Sequence, residues 1–429
     1  MLAAGWWVVS QRPPPNIVVI LGCTLRRDQL TPYGGHPKAS PFLDELRASG
    51  TLFSDTIASS SWTKESSTAI FTGHQAAHVG MTEPGRRHSK RILPDALTTL
   101  AEHLQDAGYD TWGVTANPHL NSVYGFAQGF DAYEDTSSRG FSVRKKISGI
   151  DVVEKGLALL DSRSPAEVQP PFYMQLVLID PHQPTKLKPA EVKVFQEPGV
   201  SERLAEYRTN VRKVDKALRK LDRGLRSRGY TPENTLFVLV ADHGEGLNLP
   251  DHHRQQHGRV LYRSLTSVPW ILRGPGVAED HVVSGLASHL DFLPTILGIA
   301  GLDPGLELTG HSWATAVAGW WSSTDRHRAF TETWYFGANR AAVVSDGIAC
   351  QRDWGSVSIG DDTFVEGCFD RFEDPDWAVP IDVDEELMAE LNAWRAAGDD
   401  AYDTVGAAAD AEDVVGTREQ LEALGYVED

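Results

Sequence analysis

NIVVILGCTLRR, residues 16–27, decides the fold of this chain. Ile17 to Leu21 form an unbroken apolar run, the pattern of a strand buried on both faces of a parallel sheet. The run ends in Gly22, Cys23 and Thr24, then Arg26, Arg27 and Asp28. In open parallel sheets ligands bind in the crevice beyond the carboxyl ends of the strands. This exit is therefore where function is expected, yet it delivers a thiol and a hydroxyl where a carboxylate would serve chemistry better.

Outward from that strand, short apolar runs alternate with helical patterns, the signature of βαβ units. PFLDELRASG reads as a short helix stopped by Gly50, TLFSDTIA as a second strand, and SSTAIFTG (66–73) as the helix after SWT. LTTLAEHLQDAG is an amphipathic helix feeding the strand YDTWGVTAN, and a further helix is expected at 151–161. FYMQLVLID (172–180) and TLFVLVAD (235–242) are buried strands. Between them Leu204, Tyr207, Val211, Val214, Leu218, Leu221 and Leu225 recur on one helical face. VPWILRG adds a strand and LDFLPTILGIAG the last strong helix of the main unit.

After about residue 330 the short alternating runs suit a small antiparallel sheet. Residues 397–416 are rich in Ala, Asp and Gly and read as a loose linker, and TREQLEALGYV as a docked terminal helix. The expected organisation is an extension at 1–15, a catalytic domain at 16–325 and a small C-terminal subdomain at 326–429.

The 429 residues suffice for one large core plus an accessory piece. A formal charge of −19 argues against general affinity for nucleic acid or anionic membrane, since both are polyanions. Three cysteines imply no disulfide framework, although a Cys350–Cys368 bridge stays open. No membrane span is expected. The start lacks a basic n-region, so a cytoplasmic location is favoured, or an extracytoplasmic one if the true start lies upstream. Composition leaves the oligomeric state open.

The strand ends gather the candidate chemistry. The first delivers Cys23 and Thr24, YDTWGVTAN delivers Asn117, FYMQLVLID delivers Asp180 and His182, and TLFVLVAD delivers Asp242 and His243. Adjacent carboxylate and imidazole at a strand end suit a divalent cation. DHHRQQHGRVLY places His252, His253 and His257 on a loop returning to the same edge. Thr63 stands where a strand-like segment enters a helix, a place that favours a bound tetrahedral anion. Its hydroxyl could attack phosphorus or sulfur. On local sequence alone, however, Thr63 or Ser61 reads as a helix cap.

These residues resemble the sulfatases of the alkaline phosphatase superfamily, in the subgroup whose first strand ends in DTLRAD. NIVVILGCTLRRDQLTPYGG is similar to their opening motif and SWTKESSTAIFTGHQAAHVG to their nucleophile helix. LIDPHQP, NTLFVLVADHGEGL, HGRVLY, VPWILRGPG and LEALGYV follow in the family order. The resemblance implies a large mixed, mostly parallel α/β sheet flanked by helices, with a smaller C-terminal domain. The implied activity is hydrolysis of sulfuric, phosphoric or phosphonic esters of small anionic substrates. By position, Thr63, His182 and His257 would be catalytic and Asp242 and His243 would hold one divalent metal; Lys64, Asn117 and Asp180 are candidate substrate binders, and Cys23 is either a third metal ligand or a buried neutral thiol. That metal is calcium or magnesium by resemblance, or zinc if Cys23 is a ligand.

The departures are as informative. The family aspartate at the first strand end is Cys23, and Thr24 stands at its frequent second aspartate. The Cys/Ser-x-Pro-x-Arg nucleophile motif is Thr63-Lys64-Glu65-Ser66-Ser67, so formylglycine is not expected. Losing a carboxylate opposite a dication weakens its binding. The alternative to an enzyme is therefore a catalytically inactive binding protein on the same fold.

Overall fold

The computed structural model describes residues 13–82, 91–135, 147–163, 169–185, 187–247, 257–305, 308–320, 328–356 and 364–405. Eight strands form the main sheet: β1 (Asn16–Gly22), β2 (Thr51–Ile57), β3 (Asp110–Thr115), β4 (Ala132–Glu134), β5 (Phe172–Leu178), β6 (Thr235–Ala241), β7 (Trp270–Arg273) and β8 (His281–Ser288). Their order is β4-β3-β5-β1-β6-β7-β2-β8. Pairing is parallel except where β7 runs antiparallel to β6 and β2. The sheet is mixed and mostly parallel.

Alternation along β1 explains its unbroken apolar run. Val18 and Ile20 enter one buried cluster, while Ile17, Val19 and Leu21 enter the other. The first cluster is closed by helices α1 (Pro41–Ala48), α4 (Gly149–Asp161) and α5 (Glu202–Arg226), through Phe42, Val152, Val211 and Leu218. The second is closed by α2 (Thr63–Thr72), α3 (Leu100–Asp106) and α6 (Phe292–Ala300), through Ile70, Leu104 and Ile296. Each CH2 withdrawn from water in these layers contributes about 0.8 kcal/mol.

A second sheet, order β12-β11-β10-β9, is antiparallel and comprises β9 (Ala329–Thr333), β10 (Arg340–Val344), β11 (Ile348–Asp353) and β12 (Gly367–Asp370). Cys350 and Cys368 face each other across β11 and β12 and form a disulfide. The bridge left open by the sequence is therefore made. Helix α7 (Glu385–Val405) lays Leu387, Met388 and Leu391 over it. This corrects the loose-linker reading for residues 397–405, because the apolar face of the preceding turns docks the helix. The expected terminal helix at 417–427 lies outside the described residues.

The second sheet is latched beside the start of α2. Glu332 on β9 bridges to Ser60, and its amide donates to the Ser59 carbonyl at 2.9 Å. Its carboxyl accepts from Gln75 Nε2 at 3.2 Å, the Ala77 amide at 3.1 Å and Trp334 Nε1 at 2.7 Å. Among the described residues no helix is long and apolar enough to cross a membrane.

Candidate active site

Cys23, Asn117, His182 and Asp242 leave the carboxyl ends of four neighbouring parallel strands, β1, β3, β5 and β6. Helix α2 brings Thr63 to the same place. The N-cap of α2 is Trp62, with no side-chain cap bond, and the Ser61 hydroxyl has no hydrogen-bond partner among the described residues. Neither Thr63 nor Ser61 caps the helix, which corrects the local reading. Instead Thr63 Oγ1 donates to Asp242 Oδ2 at 2.8 Å. It also stands 3.2 Å from His243 Nε2, 3.4 Å from Asn117 Nδ2 and 3.7 Å from Cys23 Sγ.

The outer atoms of these groups are pinned, so their inner atoms converge. Asp242 Oδ1 accepts from the Thr24 amide at 3.0 Å and the His243 amide at 2.8 Å, leaving Oδ2 turned inward. His243 Nδ1 lies 2.8 Å from the Gly244 carbonyl, which can only accept. Nδ1 therefore carries the proton and Nε2 presents its lone pair to the cluster. Burial lowers the His243 pKa to about 4 against the opposing pull of Asp242, so the imidazole is neutral at pH 7. Burial pushes the Cys23 thiol well above its ordinary range, and Asp242 adds to this, while Thr63 and Asn117 oppose it.

Thr24 takes a left-handed conformation at φ 57°, unusual for a β-branched residue. That turn aims its amide at Asp242. Its hydroxyl folds back to the Cys23 carbonyl at 2.7 Å and so does not replace the missing second aspartate. Tyr207 of α5 holds the turn, donating to the Thr24 carbonyl at 2.6 Å and accepting from the Arg26 amide at 2.7 Å.

The histidines form a rim, with His257 stacked on His243 and edge-on to His182. His257 lies 4.4 Å from His243 and 5.1 Å from His182, ring centre to ring centre, with Trp62 5.2 Å away. His257 Nδ1 meets Glu245 Oε1 at 3.1 Å, and Arg203 of α5 faces the other carboxylate oxygen at 4.0 Å. His182 Nδ1 meets the Gln183 carbonyl. His252 and His253 lie outside the described residues.

Two candidates make other contacts. The Asp180 carboxylate accepts the Gly149 amide at 2.9 Å at the start of α4. Lys64 Nζ sits 3.7 Å over the Tyr124 ring and donates to the Arg91 carbonyl at 3.3 Å. Sequence reasoning gave no part to Glu245, Trp62 or His289. Glu245 had a signal, since it follows the Asp-His-Gly turn, whereas His289, whose Nε2 lies 2.9 Å from the Ala241 carbonyl, had none.

The sheet order, together with a polar cluster beyond the central strand ends, defines an α/β protein of the alkaline phosphatase-like class. A family model described as Sulfatase matches residues 15–302. The chain belongs to the sulfatase family. It is 28% identical over 147 residues to arylsulfatase K of Canis lupus familiaris, a match covering 34% of this chain and 27% of that relative. The match thus spans about a quarter of the relative's length. A delta 4,5-hexuronate-2-O-sulfatase of Bacteroides thetaiotaomicron is 22% identical over 355 residues, covering 71% of this chain and 72% of its own. A protein solved in complex with its substrate D-glucosamine-2-N,6-O-disulfate shares the fold with a TM-score of 0.73 at 16% identity. That superposition covers 90% of this chain and 98% of the other.

Sulfatases ordinarily bind a divalent metal, and Cys23, Asp242 and His243 bring possible donor atoms within 4.8 Å of one another. The set does not fit calcium or magnesium. Those ions take six or more oxygens, and these three residues turn one carboxylate oxygen inward beside a nitrogen and a sulfur.

Proposed function

We propose that the chain hydrolyses small anionic sulfate esters, sugar sulfates foremost, with Thr63 at the attacking position. The observation that carries this reading is the convergence of Asp242, His243, Asn117 and Cys23 on Thr63 Oγ1. A hydroxyl bonded to a carboxylate has an acceptor for its proton. Attack on sulfur breaks the bond to the ester oxygen, which must then gain a proton. His182 and His257, paired at the rim, are the groups placed to supply it. Water completes the cycle, so ester and water give alcohol and hydrogen sulfate. The sulfated sugars named for the hexuronate sulfatase and for the solved complex support this substrate class. Assistance by a divalent ion belongs to the same proposal, and the ion itself is argued below.

Cys23 in place of the family aspartate, and the loss of the motif proline and arginine, favour a second reading, a binding protein without turnover. The Cys350–Cys368 disulfide supports an oxidising compartment for either, against the cytoplasmic expectation. A panel of aryl sulfate, monosaccharide sulfates, phosphate mono- and diesters and a phosphonate decides between the readings. Release of sulfate above buffer supports the hydrolase. Binding of the same esters without release of any product supports the binding protein.

A further inference from the structure

The donor set at the end of β1 disagrees with the hard cation of the family, and the disagreement has a direction. Thiolate and imidazole donors select borderline or soft d-block ions, whereas calcium and magnesium select oxygens. We propose that Cys23, Asp242 and His243 make a three-donor site for a thiophilic dication of the zinc type, its fourth position opening onto Thr63. The inference deepens the hydrolase reading of this pocket and rests on it for the role of that fourth position.

Three observations carry it. First, two of the three donors are oriented from outside: Asp242 by the Thr24 and His243 amides, His243 by the Gly244 carbonyl. Outer partners of this kind fix the ligands of metal sites and set which imidazole nitrogen binds. Second, the spacing of the oxygen and nitrogen donors fits, and the sulfur lies within 4.8 Å of both. Asp242 Oδ2 and His243 Nε2 are 3.5 Å apart. A tetrahedral zinc with bonds of about 2.0 to 2.1 Å to oxygen and nitrogen separates the two by about 3.3 Å. Third, Cys23 Sγ faces polar groups, accepting from Asn117 Nδ2 at 3.4 Å and lying 3.7 Å from Thr63 Oγ1. A donor N–H on sulfur suits a thiolate, and a thiol coordinated to a dication is deprotonated outright. Three protein donors with one open position is the catalytic form of a zinc site.

The test measures metal, not turnover. Chelator-treated protein is dialysed separately against zinc, cobalt(II), calcium and magnesium, desalted, and analysed for bound metal. The expected result is about one equivalent of zinc or cobalt and no retained calcium or magnesium. The cobalt form should show a thiolate-to-cobalt charge-transfer band that Cys23→Ser abolishes. Cys23→Ser should weaken zinc binding by more than the about 100-fold that losing an outer partner costs. Cys23→Asp should lose the band and gain retention of magnesium or calcium. Circular dichroism of each variant separates loss of metal from loss of fold. Retention of calcium or magnesium but not zinc by the parent, no retention of any of the four, or a charge-transfer band that survives Cys23→Ser would each overturn the proposal. Zinc bound without ester turnover would count against the hydrolase reading alone. Ester turnover with no thiolate band would count against the metal assignment alone.

Discussion

Glu65→Gln should remove one component of stability that the parent loses as pH rises from about 5 to about 8, seen as a difference in slope between parent and variant. Glu65 lies on α2 two residues after Thr63; it is 2% exposed and its Oε2 has no hydrogen-bond partner among the described residues. Burial raises its carboxyl from 4.5 to about 8; Glu332 adds to the rise and Lys64 opposes it. In the unfolded chain the group ionises near 4.5, whereas in the folded chain it holds its proton until about 8. Between those values the folded state binds the extra proton, so each unit of rising pH costs about 1.4 kcal/mol. The contribution is whole below the unfolded value and is lost as pH rises through the folded one. Across the window the loss approaches about 5 kcal/mol, a ceiling, because water entry and relaxation soften the burial of a charge. Urea unfolding of parent and variant at unit steps of pH measures it directly. Glu332, raised to about 7 by its own burial, stays in the variant and leaves a residual slope. Curves of parent and variant that run parallel across the window would refute the reasoning.

Two further perturbations follow from the same contacts. Replacing both Cys350 and Cys368 by alanine opens a link across 18 positions and should cost about 3 kcal/mol, read as a lower unfolding midpoint that reductant no longer shifts. Tyr207→Phe strips a buried partner from the Thr24 carbonyl and the Arg26 amide and should cost about 1 to 3 kcal/mol in denaturant unfolding. A neutral result would mean that the left-handed turn at Thr24 needs no outside support.

The strands most legible in the sequence are those buried on both faces. NIVVILG and TLFVLVA carry unbroken apolar runs, and FYMQLVL one broken only by Gln175, because helices cover both sides of the sheet. β8 went unread because HVVSGLAS is half exposed over its first five residues and carries a glycine, and β4 because three residues hold no period. The antiparallel course of β7 depends on pairing with residues 30 or more positions away, which local pattern does not encode. Helix α7 was missed in part because its Ala, Asp and Gly content is that of coil, while Leu387, Met388 and Leu391 dock it. At the site, the residue types at the strand ends were readable, since strand exits are few. The direction of each side chain was not. Thr63 reads as a cap until Asp242, 179 residues later, accepts its hydrogen bond. Asp180 shares its turn with His182, yet it accepts the first amide of α4.

The central claim is that Thr63 Oγ1 is the oxygen on which the site converges, and sulfate release by the parent, Thr63→Ser and Thr63→Val tests it most directly. The account expects the serine variant, which keeps the hydroxyl, to retain measurable release. The valine variant, of nearly the same shape and still folded by circular dichroism, should fall to the buffer rate. Release by Thr63→Val at the parent's rate would contradict the account.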